Sequence, residues 1–283
     1  MNFFDLHCDT AFELLKQKTT LQNSDLTVNF QDGKCFENWY QTFAIWINDT
    51  CENPFKLYQK TLLNLQENLK SKPSNLTQIF SVEGGRIIEN DLERLDILKK
   101  DKIKFLTLTW NGENAIGGGC KSDKDLTEFG KKVINKLNRL KIATDLSHAN
   151  KKTFYAAIEI ADFPIATHSN CFEIHPHERN LTAQQMRLIS QKNGIIGLTF
   201  YPPFLGENVF EKIYENIYYL CENELENNIA IGSDFDGAKM SETLDKINKI
   251  PNLYEFLINK GLKSTLLDKI FFENGYNYIA KMQ

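Results

Sequence analysis

Eight short apolar, β-rich runs recur along the chain, separated by helical patterns. They are Phe3–Leu6, Thr42–Ile47, Gln78–Val82, Lys104–Thr109, Lys141–Asp145, Pro164–Thr167, Gly194–Phe200 and Ile229–Gly232. Runs this continuously apolar belong to strands buried on both faces, as in parallel sheets. Eight such strands alternating with helices predict an α/β fold, a single (β/α)8 TIM-type barrel with C-terminal helices. A doubly wound open sheet is the alternative that the same pattern allows. The 283 residues suit one barrel of the usual size, about 250 residues. No Pro/Gly/Ser-rich linker divides them, so residues 1–283 are expected to form one domain.

The intervening segments carry helical stripes. Leu126, Phe129, Val133, Ile134, Leu137 and Leu140 lie on one helical face, and Asp125 with Glu128 resembles a capping pair at its start. Phe154, Ala157, Ile158 and Ala161 make a second stripe, and Val209, Phe210, Ile213, Ile217 and Leu220 a third. The tail from residue 252 onward reads as two helices with Gly261 between them.

Composition narrows the partners. A net charge of −4 argues against nucleic acid, which would want a basic face. No apolar run approaches the ~20 residues of a membrane-spanning helix, and Met1 leads directly into the first strand with no basic or apolar leader. The six cysteines are scattered without a CxxC pair, a pattern of reduced thiols rather than a disulfide framework. A cytoplasmic protein without a membrane partner is expected.

An α/β barrel builds its active site at the C-terminal ends of its strands. Three of the chain's five histidines, His7, His148 and His168, fall at such ends. His7 and Asp9 form an HxD whose side chains point to one side of an extended chain. Alone, that pair reads as a polar turn; the other strand ends lift it. Glu83, before Gly84-Gly85, can offer one carboxylate oxygen to each of two metals about 3.5–4 Å apart. His148 and His168 end consecutive strands and so stand side by side. In GSDFDG, Asp234 leaves the last strand first and is the candidate general base, whereas Asp236 with Gly237 reads as a turn device. Mixed imidazole and carboxylate donors without thiolate suit Zn²⁺, with Mn²⁺ or Fe²⁺ as alternatives. Cys8 should point away from the site. His175 and His177 read as a loop over it, and Arg179 can clamp a carboxylate.

Taken in order and spacing, DLHCDT, SVEGG, FLTLTWN, LTEFGKKVINKLNRL, DLSHA, HSN, ERN and GSDFDG resemble the renal (membrane) dipeptidase family of the amidohydrolase-like barrels. The resemblance implies two zinc ions per chain. His7 and Asp9 would hold one, His148 and His168 the other, and Glu83 would bridge them. It also implies that Asp234 is the catalytic acid/base beside a metal-bridging hydroxide, and that Arg179 receives the substrate's terminal carboxylate. The substrate would be a dipeptide, commonly with a D-residue second, and the protein a homodimer. One position departs from the pattern. Where mammalian members carry a His thought to stabilise the tetrahedral intermediate, this chain has Trp110, leaving Asn111 or Asn114 for the oxyanion. Trp110 and Asn111 are therefore candidate substrate-binding residues. An N-acyl amino acid, a lactone or a β-lactam is the alternative substrate, and a catalytically inactive metal-binding homologue the alternative of another class.

Overall fold

A computed structural model of the chain describes residues 1–282. Its sheet is a closed barrel in sequence order. The strands are β1 (Phe3–Cys8), β2 (Trp39–Trp46), β3 (Leu76–Glu83), β4 (Ile103–Thr107), β5 (Ala143–Asp145), β6 (Pro164–Ala166), β7 (Ile195–Leu198) and β8 (Ile229–Ile231). Each of the eight apolar runs supplies one of them. Every neighbouring pair is parallel, and β1 closes on β8 with Asp5 opposite Ile231. That closure excludes the open sheet.

Helices fill the connections, as the one-sided stripes require. They are α1 (Thr10–Gln17), α2 (Pro54–Leu69), α3 (Arg94–Lys100), α4 (Glu128–Leu140), α5 (Lys151–Ile160), α6 (Ala183–Gln191), the one-turn α7 (Pro202–Leu205) and α8 (Val209–Glu222). In α4 the stripe buries Val133, Ile134 and Leu137. The expected Asp125 cap is corrected: Thr127 is the cap, its hydroxyl accepting from the Gly130 amide at 2.9 Å. The chain is still extended at Thr127, so that hydroxyl, and not the earlier carboxylate, reaches the free amides of the first turn. Asp125 instead faces Lys152 at 3.3 Å.

After β8 come α9 (Ile250–Asn259), α10 (Ser264–Asp268) and α11 (Asn274–Ala280). Gly261, at φ 94°, ends the first, and a π-helical turn over Lys269–Glu273 joins the other two into one helical run. This run plugs the N-terminal end of the barrel. Tyr278 and Met282 pack on the interior side chains Phe4, Leu6, Ile79, Phe105, Ala143, Ile165, Ile195 and Ala230. The Tyr278 hydroxyl donates to the Pro164 carbonyl at 3.0 Å. One end of the barrel is thus apolar and stoppered, and polar chemistry is left to the other. Among the described residues no helix is long and apolar enough to cross a membrane.

Two glycines let the last strands crowd together. A Cβ on Gly197 would lie 2.0 Å from the Thr167 carbonyl oxygen, and one on Gly232 would lie 1.6 Å from it. The backbone beside His168 therefore has no room for a larger residue on β7 or β8.

Candidate metal centre and active site

The strand ends converge as the barrel requires. His7 is on β1, Asp9 one residue beyond it, and Glu83 ends β3. His148, His168 and Asp234 follow β5, β6 and β8. All six are nearly buried, the most accessible being Asp234 at 9%. Two of them depart from ordinary backbone geometry: His148 at φ 68° and Asp234 at φ 65° lie in the left-handed region. Such strain in non-glycine residues gathers where a side chain must be aimed.

Glu83 stands between two groups of donors. Its Oε1 is 2.7 Å from His148 Nε2 and 3.5 Å from His168 Nε2. Its Oε2 is 3.5 Å from His7 Nε2. His7 Nε2 also faces Asp9 Oδ2 at 3.6 Å and Asp234 Oδ1 at 3.9 Å, yet neither it nor Asp9 Oδ1 has a hydrogen-bond partner. Donor atoms about 2.1 Å from a tetrahedral ion stand about 3.4 Å from one another. Around His7 the spacing is too long for hydrogen bonds and right for shared ligation.

Tautomers sharpen that fit. The Thr167 hydroxyl gives its one proton to Asp145 Oδ2 at 2.7 Å, so it faces His168 Nδ1, 2.9 Å away, as an acceptor. Asn111 Oδ1, which accepts from Cys120 Sγ, lies 2.9 Å from His148 Nδ1. Both imidazoles therefore carry their proton on Nδ1 and turn a bare Nε2 inward. Those two nitrogens are 2.9 Å apart and share Glu83 Oε1. Three acceptors with no donor among them form a cation site, and the residues present fit a metal pair.

Electrostatics agree. Burial, with help from the Arg179 charge, lowers His148 to about 4; burial and the His7 charge hold His168 well below its usual value. Both are neutral at pH 7, the form that ligates. Burial opposes ionisation of Glu83, but the charge on His7 outweighs it and holds Glu83 well below the carboxylate range. Burial also opposes a charge on His7, and Glu83 overcomes it and raises His7. Asp9 is raised to about 6 by burial and by Glu83, and Asp234 is raised well above the usual range by burial and by Asp9. Carboxylates that resist ionisation beside one another want a cation.

The centre opens into a cavity of about 950 Å³ whose lining includes Arg179, Trp110, Asn111, Trp46, Phe12 and Phe204. Arg179 is buried, its guanidinium 5.2 Å from the Phe204 ring and its Nε without a partner. Of the expected loop histidines, His177 lines the cavity and accepts from the Arg179 amide at 3.1 Å, whereas His175 lies 3.2 Å from the Pro203 carbonyl. Asn114 is removed from the oxyanion candidates. Its amide donates to the Leu108 carbonyl and its Oδ1 accepts from Ile116 and Gly117, which commits it to its own loop. Asp236 does more than shape a turn: it accepts from the Thr10 hydroxyl at 2.6 Å and the Thr27 amide at 2.7 Å, tying the segment after α1 to the end of β8. Cys8 is buried, its sulfur 3.2 Å from the Thr10 hydroxyl oxygen, away from the donor cluster.

Sequence reasoning missed two aspartates beneath the centre. Asp5 accepts from the amides of His7 and Ser233, the Ser233 hydroxyl and the Gln41 amide group, binding β1, β2 and β8 together. Asp145 does the same for β4, β5 and β6 through Thr107, Ser147 and Thr167. The available signal was an acid two or three residues before a strand-end His, in DLH and DLSH.

A closed parallel barrel with a mixed histidine–carboxylate cluster at the C-terminal ends of its strands defines a metal-dependent hydrolase. The chain belongs to the membrane dipeptidase family, peptidase family M19, whose model matches residues 1–282. It is a metallodipeptidase, a hydrolase of peptide bonds. An uncharacterized protein in the pqqA 5′ region of Klebsiella pneumoniae is 30% identical over 215 residues, 70% of this chain and 79% of that protein. Among solved structures, the dipeptidase AC, a metallo peptidase of family M19, superposes with a TM-score of 0.92 at 24% identity, covering 100% of this chain and 98% of that one. A metallo peptidase from Rhodobacter sphaeroides, liganded with a phosphinate mimic of the dipeptide L-Ala-D-Ala, also gives 0.92, at 22% identity and over 100% and 99% of the two chains. At these identities the likeness bears on the fold, which it matches throughout.

Proposed function

We propose that the protein is a zinc-dependent dipeptidase of the cytoplasm, one barrel domain holding two zinc ions and accepting L-Xaa-D-Xaa dipeptides. His7 and Asp9 would hold one ion and His148 and His168 the other, with Glu83 shared by the two groups. The observation that carries this reading is the division of the Glu83 carboxylate, Oε2 toward His7 and Oε1 toward the His148–His168 pair. Zinc supplies Lewis acidity and a nucleophile drawn from water at neutral pH.

The chain's own residues do the rest. Asp234, which lines the cavity 3.9 Å from His7 Nε2, takes a proton from the attacking water and returns it to the leaving amine. Arg179, which lines the cavity, binds the terminal carboxylate and limits the substrate to two residues. Asn111 orients His148 and lines the cavity near the scissile bond. Trp110, an indole with one donor and no charge, replaces a cationic oxyanion partner with an apolar wall. The L-Ala-D-Ala mimic bound by the Rhodobacter sphaeroides relative supports tolerance of a second D-residue.

Hydrolysis of L-Ala-D-Ala and L-Ala-L-Ala by protein stripped with chelator and titrated with zinc tests the reading. Activity should return as the second equivalent binds, and Asp234→Asn should keep the metal and lose turnover. Tight zinc uptake with neither dipeptide cleaved would move the substrate to an N-acyl amino acid, a lactone or a β-lactam.

A further inference from the structure

We propose that Phe12, Trp46 and Trp110 form the subsite for the N-terminal side chain of the dipeptide, and that they select a large apolar or aromatic residue there. The inference rests on the dipeptidase reading above and adds the class of substrate.

The three rings make one continuous wall. Phe12 meets Trp46 edge to face at 4.9 Å and 83°, and Trp46 meets Trp110 at 5.1 Å and 75°. Trp110 in turn lies 6.3 Å from the His148 ring, so the wall begins beside the metal centre. Trp46 ends β2 in register with Glu83. All three line the cavity and are only part-buried, which leaves ring surface open to an occupant.

The wall is also held still. The loop carrying Trp110 is fixed to the end of β2 by the Gly112 amide, which donates to Asp49 Oδ2 at 2.6 Å. Asn114 pins the same loop from within. Interlocked rings on a braced loop present apolar surface without the ordering cost that a flexible side chain would add on binding.

Barrel topology gives the direction. Arg179 follows β6, which stands four strands from β2 around the closed ring and therefore opposite it. Glu83 and His148 sit at the ends of the intervening strands β3 and β5, and His168 at the end of β6 itself. A dipeptide with its carboxylate on Arg179 and its peptide bond over that cluster has its first residue against the aromatic wall.

The test is kcat/KM of the zinc-loaded enzyme for Gly-D-Ala, Ala-D-Ala, Leu-D-Ala and Phe-D-Ala. Burial of the larger side chains should favour Leu and Phe over Gly by on the order of tenfold or more. Trp110→Ala and, at a more accessible helix position, Phe12→Ala should each shrink that ratio to roughly threefold or less. Equal rates across the four peptides would remove the subsite and leave the dipeptidase standing. Calorimetry on zinc-loaded Asp234→Asn protein gives a second readout, in which Phe-D-Ala should bind more tightly than Gly-D-Ala. If no peptide were cleaved and neither bound, the dipeptidase reading would fall and the subsite with it.

Discussion

Asp145 holds Thr167 twice: Oδ1 accepts from the Thr167 amide at 3.0 Å, and Oδ2 accepts from its hydroxyl at 2.7 Å. The second bond uses the only hydroxyl proton, and this makes Thr167 an acceptor toward His168 Nδ1. A carboxylate three residues before His148 thus sets the tautomer of His168 on the next strand. Thr167→Val keeps the shape and removes that control. Its zinc affinity should fall roughly 10–100-fold, as is typical when an outer partner of a ligating histidine is lost. Competition with a chromophoric chelator would measure it. An unchanged dissociation constant would show that the hydroxyl does not orient the ring.

Metal affinity should also depend on pH in a direction that the site fixes. Asp9, raised to about 6, is protonated below that pH in the metal-free protein and must lose the proton to become a ligand. His148, lowered to about 4, has no proton to give up on Nε2 above that value. His7, held protonated by Glu83 in the metal-free protein, must lose a proton as well, so apparent zinc affinity should fall by about tenfold per unit as pH drops toward 6 and more steeply below it. Titrations at pH 5, 6 and 7, in two buffers of different ionisation heat, would reveal both the slope and the proton released. A slope that does not steepen below 6 would contradict the raised Asp9.

Steric limits behind the centre give a prediction independent of metal. Gly232→Ala places a methyl group 1.6 Å from the Thr167 carbonyl oxygen, which belongs to backbone and cannot swing aside. The β6–β8 contact must spread, at a cost of about 3 kcal/mol or more. Urea unfolding in excess chelator isolates this from metal binding. Gly261→Ala is a useful contrast: it meets no atom within 4 Å, and only its φ of 94° opposes the change.

The barrel was legible because its signal is repetitive. Each of the eight apolar runs could be weak alone, but the alternation with one-sided helices leaves few topologies. The gathering of His7, Asp9 and Glu83 at one end of the barrel was legible because strand ends and the period of two decide which way they face. What stayed hidden were contacts between residues far apart in sequence. Asp5 reaches Ser233, and Asp236 reaches Thr27, across 228 and 209 positions, and no local pattern announces either. Trp110 was visible as a departure, but its interlock with Trp46 and Phe12 depends on how α1, the end of β2 and the loop after β4 come together. The Asp125 cap failed for a nearer reason, since Thr127 is an equally good capping residue two positions on and local pattern does not rank them.

Glu83 offers the most direct test of the paired site. Its two oxygens face different donor groups, so Glu83→Gln leaves one acceptor and turns an amide donor toward the other group. The charge that holds His7 protonated in the metal-free protein goes as well. The variant should fold, because the barrel ties run through Asp5 and Asp145 and do not involve Glu83. Elemental analysis after dialysis against zinc should find fewer than two equivalents per chain, and dipeptide turnover should drop by at least about a thousandfold. Two equivalents retained with normal turnover would mean that the Glu83 carboxylate does not join the ions.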